Sequence, residues 1–155
     1  MRFQEKPPLE EAFSNLINAG AYILEPEIFN LMPDGAHSIE RDVYEDLAAT
    51  GGLNGFPFEG WFVDAGTPQS FIEASQVCIS AGSFSSGSVD RDSWFGEGST
   101  NKGEVFSSTI GFGACIEEGS VVRDSVVLEG AEIGPNCNIE GCLIGMRARI
   151  PEGSD

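Results

Sequence analysis

Residues 110–155 determine the fold, and they read IGFGACIEEGSVVRDSV (110–126), VLEGAEIGPNCNIEGCL (127–143) and IGMRARIPEGSD (144–155). Three columns of branched aliphatic residues repeat every seventeen positions: Ile110, Val127 and Ile144; Ile116, Ile133 and Ile150; Val122 and Ile139. Within one repeat these residues lie six, six and five positions apart. A helix would show a period of about 3.6 residues and an ordinary strand a period of about two. The pattern therefore predicts a solenoid whose coils bury their apolar rows against one another.

The six-residue spacing resembles the hexapeptide repeat of left-handed parallel β-helices, in which the branched aliphatic side chain points into a triangular core. Their handedness is an exception to the usual right-handed crossover. Small residues four positions later, such as Ala114 and Ala131, are expected to point inward too. Val105 lies seventeen residues before Val122, so we expect one less regular coil before the two clear ones. Residues 93–155 are thus predicted to form an all-β left-handed parallel β-helix.

The composition is strongly acidic, with 25 acidic and 8 basic residues and a net charge of −17. Such a charge repels phosphate backbones and anionic lipids, which argues against nucleic acid and membrane surfaces as partners. Only Lys6 and Lys102 are lysines. Excess carboxylate with scarce lysine suits a halophilic cytoplasm, where salt screens self-repulsion; an acidic protein of an ordinary cytoplasm is the alternative. A leader peptide and a long apolar run are not apparent, so we expect a cytoplasmic protein.

Metal and acyl-transfer sites of common types are not expected. The four cysteines, at positions 78, 115, 137 and 142, form no C-x-x-C pair, and the chain has one histidine, which is too little for a zinc site. Acyltransferases built on the same β-helix use a histidine between coils as a general base. Because no histidine follows His37, that function is disfavoured.

The part before the β-helix reads as a mixed α/β segment. The small, polar stretch 83–92 (SFSSGSVDRD) is predicted to be a linker, which assigns residues 1–82 to a separate domain. Apolar or aromatic runs at 17–25 and 56–64 predict two strands.

Three helices are predicted in the same segment. A short one covers 26–32, with proline in its first turn. Ser38 can cap a second that runs through Leu47 and is ended by a pair of glycines. Thr67 can cap a third, which begins with proline and is closed by Gly82.

Four short motifs occur in order along this segment: F-x-E-K-P, N-A-G-x-Y-I-L, S-I-E-R-D-V and G-W-F-V-D-A-G-T-P, starting at Phe3, Asn18, Ser38 and Gly60. Together they resemble the C-terminal part of sugar-1-phosphate nucleotidyltransferases of the mannose-1-phosphate guanylyltransferase and glucose-1-phosphate thymidylyltransferase type. In that family a catalytic α/β domain is often followed by a left-handed β-helix. The resemblance implies that residues 1–82 are an α/β remnant of a Rossmann-like nucleotidyltransferase domain, on its sugar-phosphate side.

The resemblance also implies a chemistry, in which a nucleoside triphosphate and a sugar 1-phosphate give a nucleotide sugar and pyrophosphate. Phosphoryl chemistry of this kind depends on positioning and on neutralising charge with Mg²⁺ and cations. By the family's motifs, Lys6 would bind the sugar phosphate and Glu5 would accept hydrogen bonds from sugar hydroxyls. Asn18 would frame the sugar, and Asp64 would be one Mg²⁺ ligand.

Each of these residues has a purely structural alternative. Glu5 and Lys6 could be an exposed ion pair, because neighbours on a strand point to opposite faces and both reach one site only if Pro7 ends the strand. Asn18 could be a turn amide. Asp64 could be a turn carboxylate that accepts hydrogen bonds from nearby backbone amides.

The family's glycine-rich nucleotide loop, G-G-x-G-T-R-L, is absent, as is the aspartate that shares the metal. One carboxylate holds Mg²⁺ poorly without substrate phosphates. We therefore expect the chain alone to be inactive and to bind nucleoside triphosphate only with a missing N-terminal half. We interpret it as a fragment, a truncated gene product or half of a split enzyme.

Two further expectations concern assembly. The open-ended coils favour a homo-oligomer, and a non-catalytic structural or regulatory subunit that associates through its β-helix is the competing function. Residues 1–82 should be loosely packed or shielded by self-association, because the predicted strands would lack their sheet neighbours. The sequence does not determine which sugar or which nucleotide base the protein would use.

Overall fold

The computed structural model describes residues 2–155, which form two compact units divided after Gly60. The second unit, Trp61–Asp155, contains one long helix and all the strands. The predicted linker 83–92 and the helix before it lie inside this unit. Among residues 2–155, no helix is both long enough and apolar enough to cross a membrane.

The second unit contains a β-helix whose strands form three sheets. The strands are β1 (Ser88–Asp90), β2 (Ser93–Phe95), β3 (Thr100–Asn101), β4 (Glu104–Phe106), β5 (Thr109–Ile110), β6 (Cys115–Ile116), β7 (Val121–Arg123), β8 (Val126–Val127), β9 (Glu132–Ile133), β10 (Asn138–Glu140), β11 (Leu143–Ile144) and β12 (Arg149–Ile150). The sheet orders are β1-β2-β5-β8-β11, β4-β7-β10 and β3-β6-β9-β12. All neighbours are parallel except β1 and β2, which are antiparallel.

The seventeen-residue register is confirmed on all three sides. The structure pairs Ile110 with Val127 and Val127 with Ile144. Ile110 and Val127 are fully buried, and Ile144 packs against the same core at its end. The columns through Ile133 and Val122 are built in the same way. A branched side chain thus rests on its equivalent in the next coil, and stacking buries the apolar row.

The less regular first coil is also confirmed, with a change of register. Its pairs with the next coil are Phe95–Ile110, Asn101–Ile116 and Val105–Val122. The first two pairs are fifteen residues apart and the third is seventeen apart, so the corner between Asn101 and Val105 is two residues shorter. Gly103 lies in this corner, where a Cβ atom would come within 2.3 Å of the carbonyl oxygen of Ser120. The tight corner therefore requires glycine.

The coils turn at residues with a left-handed backbone, and these also recur every seventeen positions. The three columns are Ser107, Asp124 and Gly141; Gly113, Gly130 and Arg147; and Gly119, Asn136 and Gly153, with φ between +45° and +77°. Glycine adopts this conformation freely, and Asn and Asp tolerate it better than other residues. The corner geometry thus explains the glycines, Asn136 and Asp124, whereas Arg147 and Ser107 carry backbone strain.

A ladder of buried hydroxyls runs along one corner, which the sequence pattern did not predict. Ser108 donates its backbone N–H to Ser93 Oγ at 3.2 Å, and Ser125 donates its N–H to Ser108 Oγ at 3.0 Å. Cys142 continues the ladder by donating its N–H to Ser125 Oγ at 3.0 Å. Each serine hydroxyl therefore satisfies a backbone donor of the next coil that would otherwise be buried without a partner.

The third predicted helix is confirmed as α2 (Pro68–Ala81). Thr67 and Ser70 form a reciprocal capping box at its start, and Gly82, with φ +63°, ends it. The helix packs against strand β11, and Gln76 Nε2 lies 3.4 Å from the Ser107 carbonyl oxygen and from Asp124 Oδ1. Helix α2 is thus part of the second unit because it lies on the β-helix.

The predicted linker packs on the first coil rather than connecting two bodies. It contains β1, and the ring of Phe84 stacks on Trp94 with 4.3 Å between the centroids. Trp94 Nε1 also donates a hydrogen bond to the Ser86 carbonyl oxygen at 3.0 Å. Aromatic contacts of this kind were not apparent from a segment rich in serine and glycine.

The prediction of two strands at 17–25 and 56–64 is wrong, since the structure places no strand between residue 2 and Gly87. A strand of this type needs a neighbour to satisfy its backbone groups, and the described residues supply none here. Large apolar side chains in these segments are exposed: Ile17, Ile23, Phe56, Phe58, Trp61 and Phe62.

The first unit instead consists of short helices around a small core. Two 3₁₀ helices cover Leu9–Glu11 and Pro26–Asn30, which confirms the short helix predicted from 26. A π-helical turn, Glu40–Tyr44, continues into α1 (Glu45–Ala49). Buried Ile28, Val43 and Tyr44 form the core.

The helix predicted from Ser38 is confirmed, and it ends two residues later than expected. Arg41 donates its backbone N–H to Ser38 Oγ at 3.4 Å, as a capping serine requires. Gly51, with φ +82°, follows the last turn and allows the chain to leave the helix.

Candidate functional site

Glu5 and Lys6 lie in a bend rather than on a strand. Lys6 has a φ of +47°, a left-handed conformation that is uncommon outside glycine. Its Nζ atom lies 3.7 Å from Glu5 Oε1. Neighbouring residues on a strand point to opposite faces, but in this bend the two side chains meet. The Lys6 side chain is 84% exposed, so its charge is accessible to an anion in solution.

Asn18 is held by two hydrogen bonds. Its Oδ1 atom accepts from the Gly20 backbone N–H at 3.0 Å, and its Nδ2 atom donates to Tyr22 Oη at 2.6 Å. The first hydrogen bond closes an Asx-turn, in which the side-chain oxygen accepts from the backbone N–H two residues later. Asn18 therefore has the turn role that was its structural alternative, while its amide stays on the exposed surface.

Tyr22, Glu40 and Ser38 extend this hydrogen-bonding group, and no role in the site was predicted for them. Tyr22 Oη donates to Glu40 Oε1 at 3.2 Å, and Ser38 Oγ donates to Glu40 Oε2 at 2.9 Å. The ring of Tyr22 packs edge-on against that of buried Tyr44, with 4.9 Å between centroids. Tyr22 and Glu40 both belong to motifs quoted above, and this was the available signal.

The electrostatics keep Glu40 ionised and Tyr22 protonated. Its own backbone N–H, the Ser38 hydroxyl, the Tyr22 hydroxyl and the charge of Lys6 lower the pKa of Glu40, against a smaller effect of burial. Burial raises the pKa of Tyr22; the Asn18 hydrogen bond opposes this, and the charges of Glu40 and Glu5 add to it. Hydrogen bonds join Asn18, Tyr22, Ser38 and Glu40, and the charges of Glu5 and Lys6 contribute to the pKa shifts of Tyr22 and Glu40. We call these six residues the Tyr22 cluster.

Asp64 belongs to the second unit, before helix α2. It is exposed, and its Oδ1 atom lies 3.2 Å from where a Cβ atom of Gly66 would be. Among residues 2–155, no group of three or more His, Cys, Asp or Glu side chains is placed to hold a metal ion. Mg²⁺ needs about six ligands, and Asp64 supplies one. The residues described do not make a magnesium site by themselves, and the metal role of Asp64 stays a prediction.

Two family models match the chain. A nucleotidyl transferase model matches residues 1–80, and a model of the GlmU-like C-terminal hexapeptide region matches residues 65–155. Each match covers more than half of the 155 residues. The two matches correspond to the motif-bearing segment and to the β-helix with helix α2.

Curated relatives agree with these matches. The chain is similar to glucose-1-phosphate adenylyltransferases of Bacillus thuringiensis (strain Al Hakam) and Bacillus anthracis, each 32% identical over 187 aligned positions. It is 31% identical over 186 positions to the glucose-1-phosphate adenylyltransferase of Bacillus mycoides (strain KBAB4). The matches cover 99% of this chain and 48% of each relative, so the chain spans about half the length of the curated relatives it matches. The motifs, the β-helix and both family models agree, and the chain belongs to the sugar-1-phosphate nucleotidyltransferase family with a hexapeptide β-helix.

Proposed function

We propose that this chain supplies the sugar-phosphate contacts and an oligomerising β-helix of a nucleotide-sugar pyrophosphorylase. Such an enzyme converts a nucleoside triphosphate and a sugar 1-phosphate into a nucleotide sugar and pyrophosphate. The observation that supports the proposal is the Tyr22 cluster, which includes Glu5, Lys6 and Asn18, the residues at the positions of the family's motifs. Because the relatives are glucose-1-phosphate adenylyltransferases, glucose 1-phosphate and ATP are the first substrates to test.

The chemistry of the three residues suits a sugar 1-phosphate. The Lys6 side chain is 84% exposed, and its ammonium would act as a point charge on the phosphate dianion. The side chain of Glu5 is 17% exposed, and its carboxylate oxygens would accept hydrogen bonds from sugar hydroxyls. Asn18 would complete the frame.

The nucleotide would need residues beyond these. The glycine-rich nucleotide motif does not occur in the 155 residues, so we propose that catalysis requires a nucleotide-binding portion supplied by another polypeptide or by further chain. In that assembly Asp64 would provide one oxygen ligand for Mg²⁺, and triphosphate oxygens and the added portion would provide the rest.

The exposed apolar side chains of the first unit support the same proposal. Ile23 is fully exposed, and Ile17 is 67% exposed, in the segment for which a strand was predicted. Apolar side chains clustered along one exposed stretch mark an interaction surface. We propose that this stretch packs against the nucleotide-binding portion; self-association of the chain would be the alternative outcome.

The direct test is isothermal titration of the chain with glucose 1-phosphate. We expect weak binding and no pyrophosphate release with ATP. Replacing Lys6 by Ala should weaken binding by about tenfold, the effect of losing one charge-assisted contact. Lys102→Ala is the matched control, because it removes the only other lysine, which pairs with Glu117 in the second unit. Equal affinity of the Lys6→Ala variant and the wild type would contradict the proposed site.

A non-catalytic structural or regulatory subunit is the second candidate. It is favoured by the β-helix, whose three sheets of stacked strands offer surfaces for association. Mixing the chain with the nucleotide-binding portion of a relative distinguishes the two. Restored pyrophosphate release supports the enzyme portion, and a tight but inactive complex supports the subunit. A homo-oligomer, a cytoplasmic location and adaptation to high salt stay predictions.

A further inference from the structure

We propose that Asn54 and Gly55 form a site of spontaneous deamidation, at which the side-chain amide of Asn54 is lost as ammonia and a carboxylate takes its place. This modification is independent of the proposed function, because it requires only the chain itself and water. Three features of the molecule support it: the residue that follows Asn54, the place of the pair in the fold, and the way in which the β-helix restrains other asparagines.

The reaction is an attack of the backbone on the neighbouring side chain. Hydroxide removes the proton of the Gly55 N–H, and the nitrogen then forms a bond to Asn54 Cγ that closes a five-membered succinimide ring, a favourable intramolecular geometry. The bond from Cγ to the side-chain nitrogen breaks, and the nitrogen takes a proton from water, which regenerates hydroxide and releases ammonia. Water opens the ring at either carbonyl and gives an aspartyl or an isoaspartyl linkage at position 54. The net change is water gained for ammonia lost, with no oxidant or cofactor.

Gly55 is the most favourable residue to follow an asparagine in this reaction. Glycine has no side chain to crowd the attacking nitrogen, and its backbone adopts conformations that other residues avoid. Asn54 is the only one of the seven asparagines of the chain that precedes a glycine. The sequence therefore selects this asparagine from the seven.

The fold places the pair in an exposed, irregular part of the first unit. Residues 52–59 follow helix α1 and have no regular secondary structure, and both Asn54 and Gly55 are exposed. Within residues 2–155, no hydrogen bond engages the Asn54 side chain or the Gly55 N–H. Water and hydroxide therefore reach the reacting atoms, and the side chain can turn toward Gly55 without breaking such a bond.

The β-helix restrains the corresponding nitrogen atoms after Asn101 and Asn136. The N–H of Lys102, which follows Asn101, donates to a carbonyl oxygen of strand β6 at 2.9 Å. The N–H of Cys137, which follows Asn136, donates to a serine hydroxyl of the preceding coil at 2.9 Å. Each nitrogen must break its hydrogen bond before it can attack, so these asparagines react only when the coil opens locally.

Deamidation at this site changes the surface of the first unit. Leu53 packs against the apolar core of that unit, whereas Phe56 and Phe58 are exposed. The new carboxylate places a negative charge between the anchored leucine and the two exposed rings, and an isoaspartyl linkage also adds a methylene group to the backbone there. The chain therefore acquires a second form with one more negative charge at neutral pH.

The experiment follows the reaction by peptide mapping of the full chain during incubation at mildly alkaline pH. Trypsin cleavage after Arg41 and Arg91 gives a peptide with Asn54 as its only asparagine, and the next peptide, 92–102, contains only Asn101 and is the internal control. The first peptide should gain about 1 Da relative to an unincubated sample, and the control peptide should not change in the same period. The rate should rise about tenfold for each pH unit, because hydroxide generates the attacking nitrogen.

Two comparisons separate the effect of glycine from that of the fold. Gly55→Ala should slow the reaction at Asn54 about tenfold or more, because a methyl group crowds the attack. In urea that unfolds the chain, the rate at Asn54 should change by less than about threefold, whereas Asn101 should react faster than in the folded chain.

Three results would each overturn the proposal. The first is a rate at Asn54 no higher than that at Asn101 in the folded chain. The second is an unchanged rate in Gly55→Ala. The third is a large acceleration at Asn54 in urea, which would mean that the fold protects this asparagine.

Discussion

The hydroxyl of Ser125 accepts a hydrogen bond from the backbone N–H of Cys142, which lies seventeen residues later in the next coil, at 3.0 Å. The same hydroxyl donates to the carbonyl oxygen of Arg123. Ser125 is fully buried. One side chain therefore satisfies two backbone groups inside the β-helix and connects two coils.

Replacing Ser125 by Ala should lower the free energy of unfolding by about 1–3 kcal/mol, because it leaves the partly buried N–H of Cys142 without this partner. Urea unfolding followed by circular dichroism measures this. Ser88→Ala, an exposed serine of β1, is the control and should stay within about 0.5 kcal/mol of the wild type. Equal midpoints for the two variants would show that the ladder does not stabilise the coils.

Gly113→Ala should destabilise the β-helix by about 1–2 kcal/mol through the backbone alone. Gly113 has a φ of +62°, yet a Cβ atom there would meet nothing within 4 Å. Gly145 has the same open surroundings without the left-handed backbone, so it is a matched control. Gly145→Ala should be neutral or stabilise by up to about 1 kcal/mol, because alanine restricts the unfolded chain. Similar losses at both positions would contradict the assignment of strain to the corner.

The two tyrosines of the chain, Tyr22 and Tyr44, should titrate above the ordinary pKa of 10.0. Burial is the main cause for both, and the negative charge of Glu40 adds to both. Glu40→Gln should therefore lower both midpoints, as measured by tyrosinate absorbance. Because the folded-state pKa values are raised, the associated stability is present below pH 10 and is lost as the pH rises through the folded-state pKa. Midpoints that do not move in Glu40→Gln would show that this carboxylate does not face the phenols.

If Asp64 binds the catalytic metal, Asp64→Asn should reduce the rate of pyrophosphate release about a hundredfold or more. The rate is measured in a complex reconstituted with a nucleotide-binding portion. The stability of the variant should stay within about 0.5 kcal/mol of the wild type, because Asp64 is exposed. Glu59→Gln, a neighbouring exposed carboxylate, is the control and should retain activity. Full activity of Asp64→Asn would leave Asp64 as a turn carboxylate.

The β-helix could be predicted because its information is local and repeated. Ile110 and Val127 pair as their spacing requires, since every coil solves the same packing problem. The strand predicted at 17–25 failed for the opposite reason: its apolar residues fit a strand, but strand formation depends on a neighbour that the described residues lack.

The candidate site was predictable in part. The motifs pointed to Glu5, Lys6 and Asn18. They did not predict the left-handed backbone of Lys6, because a residue before proline normally favours an extended backbone. The bond between Tyr22 and Glu40 joins residues eighteen positions apart. Such a contact depends on how the short helices pack, which no local pattern encodes.

The short corner at Gly103 gives the stack of coils a unique starting point. Coils of equal length are interchangeable, so during folding a coil can pair with the wrong neighbour and lose almost no apolar contact. A coil that is two residues shorter fits only one neighbour, because Phe95 and Val105 reach their partners together in a single alignment. The irregular coil therefore fixes the register of the stack and disfavours misaligned folds. Lengthening it to the common period should increase misfolding more than it changes the stability of the correctly folded form.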